Sequence, residues 1–424
     1  MDTVASWLRR FAADPRQRLW FRPAFYCTLA VLLVGVAYIS DGLGDMPGIP
    51  GVTAGTIEKL LTVISSTMLA VATFAVSSML AAYSAATTNT SPRTFKLVLA
   101  DDISQSALSS FIGAFIFAVI GLISVRVHDF APSGRFVLFI LTLGIFVWVI
   151  ATFVRWVDRI ARLGRMGSTL SKTETAARDA LNERVRQPAL GGVPVAPGST
   201  PDGAPVSSAD RIGFVRHIEI AALQELAEAA DARIRIAALP GAFVSPGDPL
   251  AYVSPAGAVG EEKLCATFEI GAERSFLNDP YYGLTVLSEI GARALSPGIN
   301  DAGTAVGVIC TLHRLIWAWA AQTLAAEGAP PRCDRVQVPL LDVAEIFDHA
   351  FTAIARDGAG VVEVMERLQR TFLAFQAIGH PAVARAARQH AASALERARR
   401  ATGLPDDLAR VEALARRVGA AAPR

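Results

Sequence analysis

Four stretches within the first 155 residues contain no Asp, Glu, Lys, Arg or His: Ala24 to Ser40, Leu60 to Ala86, Ala107 to Val125 and Phe136 to Val154. At about 1.5 Å of rise per residue, some 20 apolar residues cross a hydrocarbon layer about 30 Å thick. One such run fits a buried core helix. Four in succession, joined by short polar loops, read as a membrane domain. The whole chain of 424 residues is only 18% charged, against about a quarter in soluble domains, and this deficit excludes a disordered chain.

The basic residues predict an orientation. Arg9, Arg10, Arg16, Arg18 and Arg22 precede the first run, Arg93 and Lys96 lie between the second and third, and Arg155, Arg159, Arg162 and Arg165 follow the fourth. The loop from Gly42 to Thr56 has none, and the loop near His128 has Arg126 and Arg135. Of these residues eleven gather on one side and two on the other. Both termini, and everything after residue 155, are therefore expected in the cytoplasm. The first run exceeds a cleaved signal's apolar region and lacks a small-x-small site, so it reads as a retained helix. Of 40 basic residues all but Lys59, Lys96, Lys172 and Lys263 are arginine. With abundant alanine, this fits a GC-rich bacterial genome and a multi-pass protein of the inner membrane, with membrane lipids as partners.

No ionisable residue and no proline falls inside a run. That weighs against proton-coupled pumps and against broken-helix transporter sites. The second run is the most polar. Ser66, Ala70, Thr73, Ser77, Ala81 and Ser84 recur at helical spacing, which places small and hydroxyl side chains on one face. Two readings stay open: close helix packing, or a pore-lining face in a homo-oligomer, since four spans enclose little lumen alone. Gly113, Gly121 and Gly144 are expected packing points. His128 and Asp129 read as an external surface loop. Arg155, Arg159 and Arg162 fall on one face past the fourth run, as a headgroup-binding collar or a gating stalk.

The second half reads as an α+β region. A polar helix is expected from Thr173 to Arg186, then a Pro/Gly-rich linker over 188–210 without apolar periodicity. Residues 211–271 predict a small β-module, with strands in GFVRHIEI, ARIRIAAL, LAYVSP and CATFEIG and a helix from Ala221 to Ala230. Turn glycines Gly241 and Gly247 flank Phe243 and Val244 in a pattern similar to the half-hammerhead of biotinyl and lipoyl barrels, but the carrier-lysine hairpin has no match. From Gly283 onward the pattern is helical, with helices over 281–295, 302–326, 340–356, 361–378, 381–400 and 405–418. The apolar run Leu315 to Trp319 lies in the second of these. His313 and Arg314, near the middle of the stretch Ala302 to Ala326, mark a buried core helix rather than a fifth span. The expected fold is thus an α-helical integral membrane domain of four transmembrane helices (1–165), a polar helix and linker (166–210), a β-module (211–271) and a helical bundle (272–424).

Several function classes find no support. Four scattered cysteines make neither a disulfide scaffold nor a zinc site. The near-neutral charge gives no nucleic-acid signal, and the six histidines lack ligand spacing. No nucleophile–base pair, phosphate loop or metal motif is present, so no cofactor, metal or catalytic residue is expected.

Two strings are more specific: ERSFLNDPYYGL from Glu273, and RALSPGIND from Arg293. Their spacing resembles a bacterial predicted-membrane-protein family known only as a domain of unknown function, number twenty-two fifty-four. The resemblance covers nearly the whole chain. It departs at Ala302 and Gly303, where the family pattern has Pro-Phe. It implies a multi-span membrane protein with a cytoplasmic C-terminal region and carries no activity across. The strings bring Arg274, Asp279, Glu289, Arg293, Asn300 and Asp301 within about thirty residues, as a helix corner held by caps and ion pairs or as a pocket for a ligand or a neighbouring subunit. The favoured function is a homo-oligomeric channel or permeation protein with a cytoplasmic regulatory domain. The alternative is a membrane-anchored sensor or scaffold whose cytoplasmic domain binds a ligand or protein.

Overall fold

The computed structural model describes residues 21–41, 50–89, 93, 102–162, 166–208, 210–326 and 330–421. Of the residues behind the orientation argument, Arg9, Arg10, Arg16, Arg18, Lys96 and Arg165 lie outside the described residues, as does most of the Gly42 to Thr56 loop. The chain forms two compact units, residues 1–169 and 170–424.

The first unit contains helices α1 (Phe21–Asp41), α2 (Ala54–Asn89), α3 (Asp102–Val127) and α4 (Pro132–Arg162), each holding one of the four charge-free runs. Half of the apolar window of α3 is buried, against 17–22% in the other three. So α3 is the inner helix, with Phe111, Ala114, Phe117 and Ala118 in the core. The other helices turn large apolar side chains outward, among them Leu32, Ile39, Leu80 and Val147. Such a surface is stable in hydrocarbon and unfavourable in water. A Cβ on Gly113 would stand 2.9 Å from Tyr26 Cβ, and one on Gly121 would stand 3.2 Å from Leu61 Cδ1. These glycines let α1 and α2 approach α3. Gly144 has nothing within 4 Å, so the expected packing point is open there.

One end of this unit is tied by polar contacts. Asp41 accepts from the Ala131 backbone N–H at 2.6 Å and meets His128 Nε2 at 3.1 Å. Arg126 pairs with Glu58, and Arg135 with Asp129, each at 2.6 Å. His128 and Asp129 are thus engaged, where the sequence suggests only a surface loop.

The second unit joins a mixed sheet to a helical layer. It opens with α5, whose full range is Met166–Arg186. Strands β1 (Gly192–Val195), β2 (Ala204–Ser207), β3 (Gly213–Ile218), β4 (Arg233–Ile236), β5 (Phe243–Val244), β6 (Pro249–Ser254) and β7 (Phe268–Gly271) follow, with α6 (Ile220–Ala229) and α7 (Glu261–Ala266) between them. Then come α8 (Pro280–Ala294), α9 (Ala302–Ala325), β8 (Cys333–Pro339), α10 (Val343–Asp357), α11 (Val362–Phe375), α12 (Pro381–Ala401) and α13 (Pro405–Ala420).

Two expectations are corrected here. The linker over 188–210 supplies β1 and β2, and the helical region supplies β8. The five-stranded sheet has the order β1-β8-β4-β6-β2, so both edge strands come from the segment read as linker. Pro194 and Pro205 stand in these edges, where a missing N–H costs nothing to a central ladder. A Cβ on Gly192 would overlap the Val336 carbonyl of β8, so the glycine is what lets β1 close on the sheet. In β8, Val336 and Val338 alternate with polar neighbours and are fully buried. Val253, Ile234 and Val336 form one buried row across β6, β4 and β8. The β-module and the bundle therefore share a sheet within a single unit. A separate three-stranded sheet runs β5-β3-β7.

Three of the helices start on aspartate caps and three carry proline in the first turn. Asp279, Asp301 and Asp342 accept from Tyr282 N, Thr304 N and Ala344 N, and Pro280, Pro381 and Pro405 occupy first helical turns. Phe347 and Phe351 of α10 pack on Phe372 and Phe375 of α11 at the centre of the core. Helix α9 is long and apolar enough to be a fifth candidate span by composition. In the unit its Val308, Ile309, Leu312, Leu315, Ile316 and Trp319 belong to that same core, and Arg314 pairs with Glu174 of α5 at 3.2 Å.

Candidate functional site

The residues singled out in the first unit lie on α2 and α4. Ser66, Ala70, Thr73, Ser77, Ala81 and Ser84 are all exposed. Ser66 Oγ donates to Val63 O at 3.1 Å, Thr73 Oγ1 to Leu69 O at 2.9 Å and Ser77 Oγ to Thr73 O at 3.1 Å. These hydroxyls are satisfied by their own helix, so the face can meet either lipid or protein without an orphaned donor. On α4, Arg155 is exposed and Arg159 half-buried and engaged, while the Arg162 side chain lies outside the described residues. Trp156, one residue from Arg155, turns inward and meets Phe111 edge-on at 6.2 Å.

The six residues of the expected corner do not converge. They fall at the two ends of α8, which at about 1.5 Å per residue are some 20 Å apart. At its start, Arg274 donates from Nε to Asp279 Oδ2 at 2.7 Å and from Nη2 to Oδ1 at 2.9 Å. The Arg274 guanidinium also lies 5.0 Å over the Tyr282 ring. Asp279, 2% exposed, caps the helix by accepting from Tyr282 N at 3.1 Å. Gly241 in the β4–β5 turn, at φ +99°, leaves no room for a Cβ beside this carboxylate. Glu289 and Arg293 lie further along α8, half-buried and each with an interaction of its own.

The RALSPGIND string ends α8 and restarts the chain as α9. Asn300 takes φ +49° and its N–H bonds Ser296 O, while Asp301 N returns to Ala294 O at 2.8 Å. Asp301 then accepts from Thr304 Oγ1 at 2.6 Å and Thr304 N at 2.9 Å, and these bonds hold its carboxyl below its ordinary pKa. The Asp301 carboxylate and the backbone N–H groups of Asn300 and Asp301 are thus engaged in holding the turn.

A cavity of about 430 Å³ opens elsewhere in the unit, lined by Arg184, Trp319, Leu341, Asp342, His380 and Arg385 among others. Sequence reasoning passed over it. Arg184, in the last turn of α5, is only 4% exposed, and its Nε has no hydrogen-bond partner. Its Nη1 reaches only Pro188 O, at 3.4 Å. Burial brings its pKa down to about 10, so the guanidinium stays charged at neutral pH. Nearby Tyr281 accepts from Asp342 N at 2.8 Å, and burial raises its phenol well above the usual pKa. The only trace in sequence is an arginine in step with Ala177 and Leu181 on the buried face of α5.

The model of the family described as "Predicted membrane protein (DUF2254)" matches residues 16–374. The chain belongs to this family. Its DUF2254 region spans the four apolar helices, the sheet and most of the helical layer. The chain is 23% identical over 280 residues to the uncharacterized proteins Mb1321c of Mycobacterium bovis and Rv1290c of Mycobacterium tuberculosis. The alignment covers 61% of this chain and 51% of each relative, so the chain spans about half the length of the curated relatives it matches. No solved structure matches. The DUF2254 assignment establishes a membrane protein and brings no activity.

Proposed function

We propose that this DUF2254 protein is a homo-oligomeric permeation protein of the bacterial inner membrane, with four spans, both termini cytoplasmic, lipids around it and a regulatory C-terminal unit. The observation that carries this reading is the exposure of the Ser66–Ser84 face of α2. Among the described residues of its own unit, none covers that face. Small side chains offer lipid tails few atoms to contact but let a second backbone approach closely, and hydroxyls can hydrate a path between copies. In this reading α9 is a core helix, because its Arg314 reaches Glu174 and its apolar face joins the bundle. The test is native mass and particle shape of the detergent-purified protein, followed by bilayer recordings. A symmetric ring, with Thr73→Cys and Ser77→Cys cross-linking between copies, supports the proposal. A monomer, or a dimer with these positions facing lipid, refutes it.

A second reading is a membrane-anchored sensor. The cavity at Arg184 favours it, because that cavity is complete within the C-terminal unit. An oligomer that stays silent in recordings but binds a ligand in this unit would shift the assignment from channel to sensor.

A further inference from the structure

We infer that the cavity between the end of α5 and the starts of α10 and α12 binds an anionic small molecule, its charged group on Arg184 and its apolar body against Trp319. This holds whether the membrane helices conduct or only anchor.

Buried cations are normally paired, because the desolvation cost is otherwise uncompensated. Among the described residues Arg184 has no carboxylate hydrogen-bond partner, and its Nε has no hydrogen-bond partner. The nearby Asp279 attracts the Arg184 charge but does not hydrogen-bond it, its oxygens being held by Arg274 and the α8 cap. Two helix starts face the same space. Asp342, Val343 and Ala344 open α10, and His380 and Ala382 open α12. α12 has no side-chain cap, so its first N–H groups remain available. Both starts carry the positive end of a helix dipole. Arg385 stands exposed at the rim and has no partner among the described residues. Asp342 is the single acidic residue of the lining, and one of its oxygens is used on Ala344 N at 2.8 Å.

The remaining wall selects the body of the ligand. The Trp319 ring lies nearly parallel to His380, with centroids 6.1 Å apart. His380 Nδ1 is buried without a partner, and burial lowers the pKa of its imidazole. A neutral imidazole offers one donor or acceptor to a ring edge. At about 430 Å³, the cavity has the size of a small-molecule site. A phosphate or carboxylate attached to a flat ring matches this chemistry.

The experiment uses the full chain in phosphatidylcholine nanodiscs, with AMP, pyrophosphate and adenosine as probes. Thermal unfolding and tryptophan fluorescence are the readouts. AMP and pyrophosphate at millimolar concentration should raise the unfolding midpoint, and adenosine should not. Arg184→Met should weaken the response about 10- to 100-fold while raising the unliganded midpoint by several degrees, because it removes a buried charge that no carboxylate hydrogen-bonds among the described residues. Arg385→Gln, at an exposed position, should keep the unliganded midpoint and weaken binding less. If only phosphatidylglycerol in the disc raises the midpoint, and does so through Arg184, the anionic group comes from a lipid rather than a soluble molecule. The inference is overturned if no anion shifts the midpoint. It is equally overturned if adenosine binds as well as AMP, if the shift survives in Arg184→Met, or if Arg184→Met lowers the unliganded midpoint.

Discussion

Replacing Asp279 by alanine perturbs three contacts at once. The Arg274 guanidinium loses a bidentate partner at 2.7 and 2.9 Å, Tyr282 N loses its cap, and Gly241 loses the carboxylate it packs on. Removing one member of a buried ion pair costs about 3–5 kcal/mol. A lost N-cap adds about 1 kcal/mol. The Arg274 side chain is 17% exposed and regains some solvation, so the lower end applies and the sum is about 4 kcal/mol. At about 2–3 °C per kcal/mol for a unit of this size, the midpoint should fall by about 10 °C. The assay is far-ultraviolet circular dichroism of the detergent-purified chain during heating. Asp279→Asn keeps a cap acceptor and should lose less. Arg274→Met combined with Asp279→Leu should recover part of the loss, because neither partner is then left charged in the interior. A drop below about 3 °C for Asp279→Ala, or a double variant as unstable as the two single losses added together, would refute the reasoning.

Other outcomes follow from the same contacts. Burial lowers the pKa of His349, His380 and His390, with Asp348 opposing the effect at His390. Stability should therefore be complete above about pH 6.5 and decline as pH falls toward the folded-state values, because the unfolded chain takes up protons first. Urea midpoints measured across this range check the sign, and His390→Gln should flatten the slope. Gly283→Val drives a side chain into Ala177 of α5, where even a Cβ would lie 2.6 Å from Ala177 Cβ. It should cost about 1–3 kcal/mol, seen in the same thermal scans. Gly113→Leu should destabilise the membrane unit against Tyr26, whereas Gly144→Ala should be neutral or gain up to about 1 kcal/mol; retention of the folded form in size-exclusion profiles separates the two. Asn300→Val should cost about 1–2 kcal/mol at φ +49°, and Asn300→Gly should be near neutral.

The apolar helices were legible because their signal is compositional and long. Each run in the sequence appears inside one helix of the first unit. The helical layer was legible through its period and, at α9, through its aspartate start. The strands β1, β2 and β8 were not. A four-residue edge strand carries too few positions to show a period, and Pro194 and Pro205 look like breakers until the strand is known to be an edge. β8 lies between two helices in sequence, and of its residues only Val336 and Val338 are fully buried in the sheet.

The polar corner shows the opposite failure. Nearness in sequence suggested one site, but α8 separates Arg274 and Asp279 from Asn300 and Asp301, and each pair finishes a helix end. Arg184 was missed for a related reason. On a helix as polar as α5 an arginine reads as solvated, and only its phase with Ala177 and Leu181 distinguishes Arg184 from Arg186. Only the placement of Pro188, Asp342 and His380 around it, from segments up to about two hundred residues away, makes Arg184 a buried cation beside a cavity. Specific strings in this chain thus encode turns and caps, whereas the best candidate for chemistry is assembled from residues that are individually ordinary. A search for the function of this family is therefore better aimed at the charge balance of that cavity than at its most recognisable motif.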